Sequence, residues 1–529
     1  MPIGDIYPNL PGTLLRLHDY GLTIRPPQPY RTDAVCLIGV ASDGPVRNAI
    51  RISSITDAER TFGKIDTTSS TLMKNRGITR ACYEAFFAGC TEILVCRVNG
   101  TTASTNLTAS SGTNVVYLET AYGGSAYNAN TVVIDATTLT INAVGGSASY
   151  TLASYVNYTD LCAAINADLG THKTNAYVLD QFNNLNLDTG TFTFTGGTDE
   201  FNLTDAQYSD RLNDTYTILE GKADFDYAVP IGAGLVASGA STGADPCNFA
   251  LNLARFCCRN TIRNNEMVGI IPFQQLNIPT PVTVNARALA LTNTSMLHYL
   301  KNAYVGGAVD PSTITNMLDD ETNLPIDIGR WISIIAGPSA IFNTTSLNNY
   351  STTGEALYAG LVSGLSISTS PTNKTINGVR GLSYEFSEQQ LNDVTGARFV
   401  TFKNSQNTTV VTDSPTYAAS NSDYKRMSTM RVTNAVTDAI RRTVQQYIGQ
   451  PNDTITRNSI ASQIQGALQS IQDMRAIQFF TFTMSATPAQ QIDGKLVITL
   501  NVVPMFEIKQ IVINVYLMPP ENFNSVSQN

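Results

Sequence analysis

The chain has 529 residues, more than one hydrophobic core ordinarily serves, so about two to four domains are expected. Only 14% of residues are charged against 43% hydrophobic, a balance that suits a surface hidden largely against copies of itself. With 33 basic and 42 acidic residues the net charge is −9, which argues against a generally basic nucleic-acid binder. One Trp and three His leave little for metal or acid–base work. No apolar run nears the roughly 18–20 residues of a membrane span, and the opening MPIGDIYPNLPGT has no basic-then-apolar leader pattern. This composition argues against a membrane protein, a secreted disulfide scaffold, a coiled coil and a mostly disordered chain.

In chain order, residues 1–30 hold six prolines and read as an extended arm. AVCLIGV (34–40) reads as a buried strand entering an SDGP turn. TDAERTFG (56–63) reads as a capped short helix closed by Gly63. ITRACYEAFFAG (78–89) is a helix with Cys82, Ala85, Phe86 and Phe87 on or near one face, and EILVCRV follows as a strand. Strand, helix, helix and strand make an α/β unit. From 100 to 199 Lys173 stands alone against seven acids, and Thr, Ser, Asn and Gly dominate. TVVIDATTLTINAV and GTFTFTGG alternate like strands and LCAAINADLG reads as one helix, so this stretch is expected to be a β-rich inserted domain.

Helical periodicity returns at 205–219 and again in NFALNLARFCCRN, with strands at 224–233 and 267–273. Residues 284–301 read as helical, 331–343 begins as a strand, 345–382 reads as a surface loop, and 397–403 as a short strand. In MRVTNAVTDAIRRTVQQYIG the residues Val432, Val436, Ile440, Val444 and Ile448 recur every four positions, ended by Gly449 and Pro451. Ile460, Ile464, Leu468 and Ile471 share a face of a second helix. KLVITLNVVP and EIKQIVINVYLMP then read as two strands, with Ile511, Ile513, Val515 and Leu517 on one face of the second.

The eight cysteines are Cys36, Cys82, Cys90, Cys96, Cys162, Cys247, Cys257 and Cys258, with no CxxC pair. They read as buried thiols acting as small hydrophobes, with disulfides, including intersubunit ones, as the alternative. No phosphate loop, dinucleotide fingerprint, HExxH or GxSxG is present; GPSAI (337–341) lacks the second Gly, and His18, His172 and His298 are far apart. Asp319 and Asp320 adjoin on a polar stretch read as a solvated loop. The expectation is therefore no enzyme, no cofactor and no metal.

Several segments, in order, resemble the contractile tail sheath proteins of phages and related injection machines. PGTLLRLHDYG and AVCLIGVASDGPVRNAIRISSITDAERTFG resemble that family's arm, strand, G-x-x-x-x-G-P turn and short helix ending in FG. AFFAGCTEILVCRV is similar to its helix and strand ending in Arg-Val, GGSAYNANTVVI to the entry of its β-sandwich insert, and GGTDEFNLTDAQYSDRLN to its GG-x-D segment. AGPSAIFNTTSLNN and KTINGVRGLSYEFSEQQLNDVTGARFVTF resemble the middle motif, and KRMSTMRVTNAVTDAIRRTV the helix after it. AGPSAIFNTTSLNN lacks the aromatic Gly-Trp step, and 275–330 has no counterpart.

The resemblance implies an α+β multidomain chain: an α/β sheath core built from N- and C-terminal parts, carrying the β-rich, sandwich-like insert outward. The expected divisions are 1–30 arm, 31–99 core, 100–200 insert, 201–400 middle α/β domain, 401–518 C-terminal core with an exchanging strand, and 519–529 polar tail. It implies hexameric rings stacked around an inner tube in a virion tail assembled in the host cytoplasm, with tube, baseplate and terminator proteins as partners. No direct nucleic-acid contact or membrane insertion is implied, and contraction in this family uses no ATP. Within 424–448, Lys425, Arg426, Arg431, Arg441 and Arg442 against Asp438 suggest contact with an acidic tube or neighbour; a solvated helix face is the plainer alternative. Ile508, Ile511, Ile513, Val515 and Leu517 mark the candidate inter-subunit strand, an ordinary hairpin with 495–503 being the alternative. The rival placements are a bacterial injection device or phage-tail-like bacteriocin, and, in another class, a glycan-binding adhesin using Tyr122, Tyr127, Tyr155 and Tyr158.

Overall fold

The computed structural model describes residues 33–65, 76–180, 184–220, 225–234, 248–263, 265–273, 327–337, 340–342, 350–383, 385–418, 422–492, 494–509, 511 and 513. The expected 1–30 arm, the helix at 284–301, the Asp319–Asp320 pair, His18, His298, Cys247, Val515, Leu517 and the polar tail lie outside them.

An all-apolar run forms β1 (Val35–Gly39), followed by β2 (Ala49–Ile52). Helix α1 (Ile55–Phe62) begins where the Ser54 side chain accepts the Asp57 N–H and ends at Gly63, whose φ of +87° suits glycine. Helix α2 (Ile78–Ala88) leads into β3 (Ile93–Arg97). Cys82 and Ala85 of α2 are buried, but Phe87 is 47% exposed and points away from that face.

The stretch after β3 supplies β4 (Thr102–Thr108), β5 (Asn114–Gly123), β6 (Thr131–Ile134), β7 (Thr138–Ala143), β8 (Gly146–Thr151), α3 (Tyr158–Ala167), β9 (Thr174–Val178) and β10 (Gly190–Thr193). They form two antiparallel sheets, β10-β6-β7-β8 and β4-β5-β9, which share a hydrophobic cluster with α3 drawn wholly from residues 103–194. Tyr127 and Tyr158 lie inside this unit, and Tyr122 and Tyr155 are packed against its cluster. Tyr127 and Tyr158 are buried, with Tyr127 Oη donating to Asp43 at 2.9 Å, and Tyr122 and Tyr155 are half-buried, so none of these four is the exposed aromatic expected for a glycan adhesin.

The chain then returns to the first sheet through α4 (Asp205–Leu219), β11 (Tyr227–Pro230), α5 (Phe249–Arg263), β12 (Val268–Pro272) and β13 (Ile332–Ile335). The six strands run in the order β13-β12-β11-β1-β3-β2, with β2 antiparallel to β3 and the other pairings parallel. Parallel strands covered on both faces carry continuous apolar runs rather than alternation, as VCLIG, ILVCR and VGIIP do.

A three-stranded sheet β14 (Ala340–Phe342), β15 (Tyr350–Thr352) and β16 (Val379–Leu382) precedes α7 (Glu388–Gly396) and the hairpin β17 (Thr401–Ser405) and β18 (Thr408–Asp413). Between β15 and β16 lies α6 (Glu355–Gly364), where a surface loop was expected. Its run from Glu355 to Val362 is buried throughout. Glycine permits that closeness: a Cβ on Gly360 would press into the Ala85 carbonyl of α2. Between α2 and α6 the Arg80 guanidinium lies 3.2 Å from Glu84 and 3.5 Å from Glu355, and Thr352 Oγ1 donates to Glu84 at 2.9 Å.

The root of the 103–194 unit is held by a second buried arginine. Arg97 is 0% exposed at the end of β3, and its Nη1 donates to the carbonyls of Gly44 (3.0 Å) and Gly123 (2.8 Å). Asn99 bridges Ala41 and the Asp199 carbonyl, while Thr101 and Thr198 exchange backbone hydrogen bonds. The unit therefore leaves and rejoins the main sheet at one paired point.

The last elements are α8 (Met427–Gln445), α9 (Thr454–Asp473), β19 (Ile477–Ser485) and β20 (Val497–Pro504). They enclose a separate hydrophobic cluster that includes Ile460, Ile464, Leu468 and Ile471 of α9. The seven described cysteines are buried and free, and burial raises the thiols of Cys162 and Cys258 to about 11, as expected of inert core residues. Among the described residues no helix is long and apolar enough to cross a membrane.

Candidate assembly interface

Helix α8 carries most of the charge run singled out in the sequence, and its two sides meet different partners. Val432, Val436 and Ala439 face α9 and the hairpin cluster. Arg431, Asn434, Asp438 and Arg441, spaced three, four and three apart, make a polar stripe. That stripe turns toward the base of the main sheet, where Arg431, Asn434 and Asp438 line a small cavity with Asp33, Asp226 and Glu266.

Arg431 is not a surface residue. It is 3% exposed, and all five of its N–H donors find acceptors. Nε donates to Tyr227 Oη (3.0 Å), Nη1 to the carbonyls of Ser366 and Thr369 (3.2 Å each), and Nη2 to Asp33 Oδ2 and the Leu365 carbonyl (2.6 Å each). Burial alone would ease its proton off, but the charges of Tyr227 and Asp33 outweigh that and hold it more firmly protonated than usual. A guanidinium so enclosed cannot reach a tube or a neighbour, which corrects the expectation for this residue.

The other four cations divide. Arg441 donates to the Thr261 carbonyl (2.8 Å) and lies 2.9 Å from Glu266. Arg426 lies 2.5 Å from Asp413 and 3.0 Å from Glu507. Arg442 pairs one turn back with Asp438 at 2.8 Å and keeps a 45% exposed side chain, and Lys425 is exposed. Counting charge along the chain could not separate these fates. The spacing of Arg431, Asn434, Asp438 and Arg441 could have, because acids and bases interleaved on one helical stripe signal an internal network.

Glu266 is 3% exposed, and burial raises its carboxyl to about 7 despite Arg441. The Arg441 contact is close but not aligned as a hydrogen bond, so it only partly offsets the loss of water.

The hairpin β19–β20 pairs Phe480 with Val502, Phe482 with Leu500 and Met484 with Ile498, all facing the α8–α9 cluster. The partner of the 497–504 strand is therefore 477–485, a strand that sequence reading passed over although its Phe480, Phe482, Met484 alternation marks it. Among the described residues neither outer edge of this two-stranded sheet has a strand partner. Beyond it the chain leaves apolar side chains in solvent: Phe506 is 73% exposed, Ile508 80%, Ile511 75% and Ile513 78%.

Residues 419–518 match the family model for the phage tail sheath C-terminal domain. The whole fold is that of sheath proteins. It is similar to the sheath tail protein of Listeria innocua, with a TM-score of 0.52 and 14% identity over 90% of this chain and 95% of that one. It is also similar to a chain of the anti-feeding prophage baseplate (TM-score 0.51, 11% identity, 96% of this chain and 99% of that one). A chain of the same particle's helical sheath in the contracted state gives a TM-score of 0.50 at 11% identity over the same shares. No curated protein matches by sequence. The chain thus carries a phage tail sheath C-terminal domain on a sheath-protein fold.

Two outcomes are expected at this site. Replacing Arg431 by Ala leaves Asp33 and three carbonyls without their donor, and should lower the unfolding free energy by about 3–5 kcal/mol in urea titrations; Arg431→Lys, with three donors instead of five, should fall between. Glu266 keeps its proton in the folded chain up to about pH 7 but loses it near its ordinary 4.5 when unfolded, so its contribution to stability falls as pH rises across that window. Glu266→Gln should flatten the measured stability between pH 4.5 and 7 relative to the native chain.

Proposed function

We propose that this chain is the structural subunit of a contractile sheath, which polymerises as stacked hexameric rings around an inner tube and contracts to drive that tube through a host envelope. One observation carries the reading: within the sheath C-terminal domain a hairpin whose two edges have no strand partner among the described residues is followed by exposed apolar side chains. Unpaired edges and uncovered isoleucines are costly in an isolated subunit and are relieved when an arm from one copy adds to the hairpin of another. The candidate for that strand runs from Ile511 and Ile513 through the sequence positions Val515 and Leu517, with Ile508 at its root and the 1–30 arm as its natural companion.

The domain scheme follows from the same reading. Residues 31–99 and 401–518 build the conserved core, 201–400 the middle α/β part, and 100–200 the outward insert. Lys425 and Arg442 are the remaining candidates for touching an acidic tube, since their side chains face solvent. Tube, baseplate and terminator proteins are the expected partners, and the tail sheath of a virion the expected location. The likeness to anti-feeding prophage chains supports a second placement, a bacterial injection device; capsid and terminase genes beside this one would decide for the virion. The role is structural rather than enzymatic.

A chain ending at Met505 tests the proposal. The hairpin β19–β20 is complete without the arm, so the shortened protein should be soluble and cooperatively folded yet form no rings or tubes by electron microscopy. The full chain should form them. Polymerisation of the shortened chain, or a full chain that stays a monodisperse monomer at high concentration, would overturn it.

A further inference from the structure

The first residues after β20 are tied to the chain's own core by charge. The Met505 N–H donates to the Ala476 carbonyl at 3.0 Å, closing the hairpin. Glu507, with a side chain 14% exposed, lies 3.0 Å from Arg426 Nη1 and accepts from Ser428 Oγ at 3.2 Å. Lys509 Nζ donates to Asp413 Oδ2 at 2.9 Å, and the other oxygen of Asp413 holds Arg426 at 2.5 Å. The four charges form a chain of alternating sign, Lys509–Asp413–Arg426–Glu507, across the end of β18 and the N-cap of α8.

Position parity adds a second observation. Glu507 and Lys509 both reach charged groups on the core, Glu507 with its side chain 14% exposed and Lys509 across the surface with its side chain 60% exposed, whereas Phe506 and Ile508 between and beside them meet no such partner and are 73% and 80% exposed. Ile511 and Ile513 share the parity of Glu507 and Lys509 but are 75% and 78% exposed. One side of the arm therefore changes between 509 and 511 from charged and held to apolar and uncovered. Asp413 has a side chain only 7% exposed; burial would raise its carboxyl, but Lys509 and Arg426 outweigh that and keep it below its ordinary range. The Lys509 side chain is itself 60% exposed, so its pair with Asp413 is open to screening by salt.

We infer that Glu507 and Lys509 form a two-point ionic clasp that anchors the arm to its own subunit as far as residue 509, so that the arm belongs to another copy only from 511 onward. Tension on the distal part then passes through Arg426 and Asp413 into α8 and β18 instead of peeling β20 from β19. The identity of the distal partner rests on the sheath reading above; the clasp itself does not.

The test uses the full chain, dilute and unassembled, with chymotrypsin. Phe506 is the exposed cleavage site, and cutting after it requires the flanking residues to leave the core. Glu507→Lys combined with Lys509→Glu keeps the arm's net charge but sets like charges against Arg426 and Asp413, and it alters no core residue. Mass spectrometry of the fragment beginning at residue 507 should show release about tenfold faster than from the native chain at 20 mM salt. Raising salt to 1 M should speed the native chain and shrink the difference. Equal rates at low salt, or a difference indifferent to salt, would overturn the clasp. A parallel polymerisation assay separates the two readings: slow native release without polymerisation keeps the clasp and sinks the sheath, and unchanged release with normal tubes does the reverse.

Discussion

The guanidinium of Arg431 is the constraint on which the arrangement of the chain depends. A charge taken fully out of water is tolerated only when every donor is met, and here the donor and its five acceptors come from four separated parts of the sequence. Asp33 stands at the entry to β1, Tyr227 opens β11, the carbonyls of Leu365, Ser366 and Thr369 follow α6, and Arg431 itself lies in α8. Satisfying one side chain thus fixes the start of the central sheet, its middle and the C-terminal helices in one register. An apolar residue could fill the same volume but would not specify which strand and which turn must meet it. Arg97 repeats the device at the root of the 103–194 unit, where it joins Gly44 of the β1–β2 turn to Gly123 of the insert.

These two internal arginines explain how a subunit can be rigid within and adaptable at its borders. The core sheet and the α8–α9 packing are closed and largely apolar, and the small-residue contact of α2 with α6 is closed around the buried charges of Arg80, Glu84 and Glu355. The border is the hairpin edge and the arm beyond it, which hold no comparable packing among the described residues. In a polymer that changes its packing between two states, bonds inside the subunit must outlast bonds between subunits. Main-chain pairing of strands suits the linkage because it tolerates bending and twist, whereas the interior is held by directional hydrogen bonds that do not.

Much of this was legible in the sequence. Periodicity placed α4 at 205–219 and the buried stripe Ile460, Ile464, Leu468 and Ile471; local chemistry placed the end of α1 at Gly63. The composition shift at 100 coincided with a separate hydrophobic cluster. Two elements escaped. GEALYAGLVSG is apolar on all sides because α6 is buried all round, so it shows no amphipathic stripe, and its Gly- and Ser-rich flanks read as a loop. The β19 strand was overlooked because Thr and Ser on its outer face dilute the phenylalanines on its inner one. Arg431 is hard to place for a related reason: net charge along a helix is a sum, while burial depends on which partners the fold brings opposite. Asp33 lies 398 positions from Arg431, and no local pattern joins them.

Helical reconstruction by cryo-electron microscopy of polymer grown from the purified full chain tests the central claim most directly. The account predicts a tube of stacked sixfold rings in which residues 511–517 of one copy run as an added strand along the β19–β20 hairpin of another, with Glu507 and Lys509 still on their own core. A polymer whose 511–517 segment folds back onto its own hairpin, or whose subunits meet without any shared strand, would contradict it.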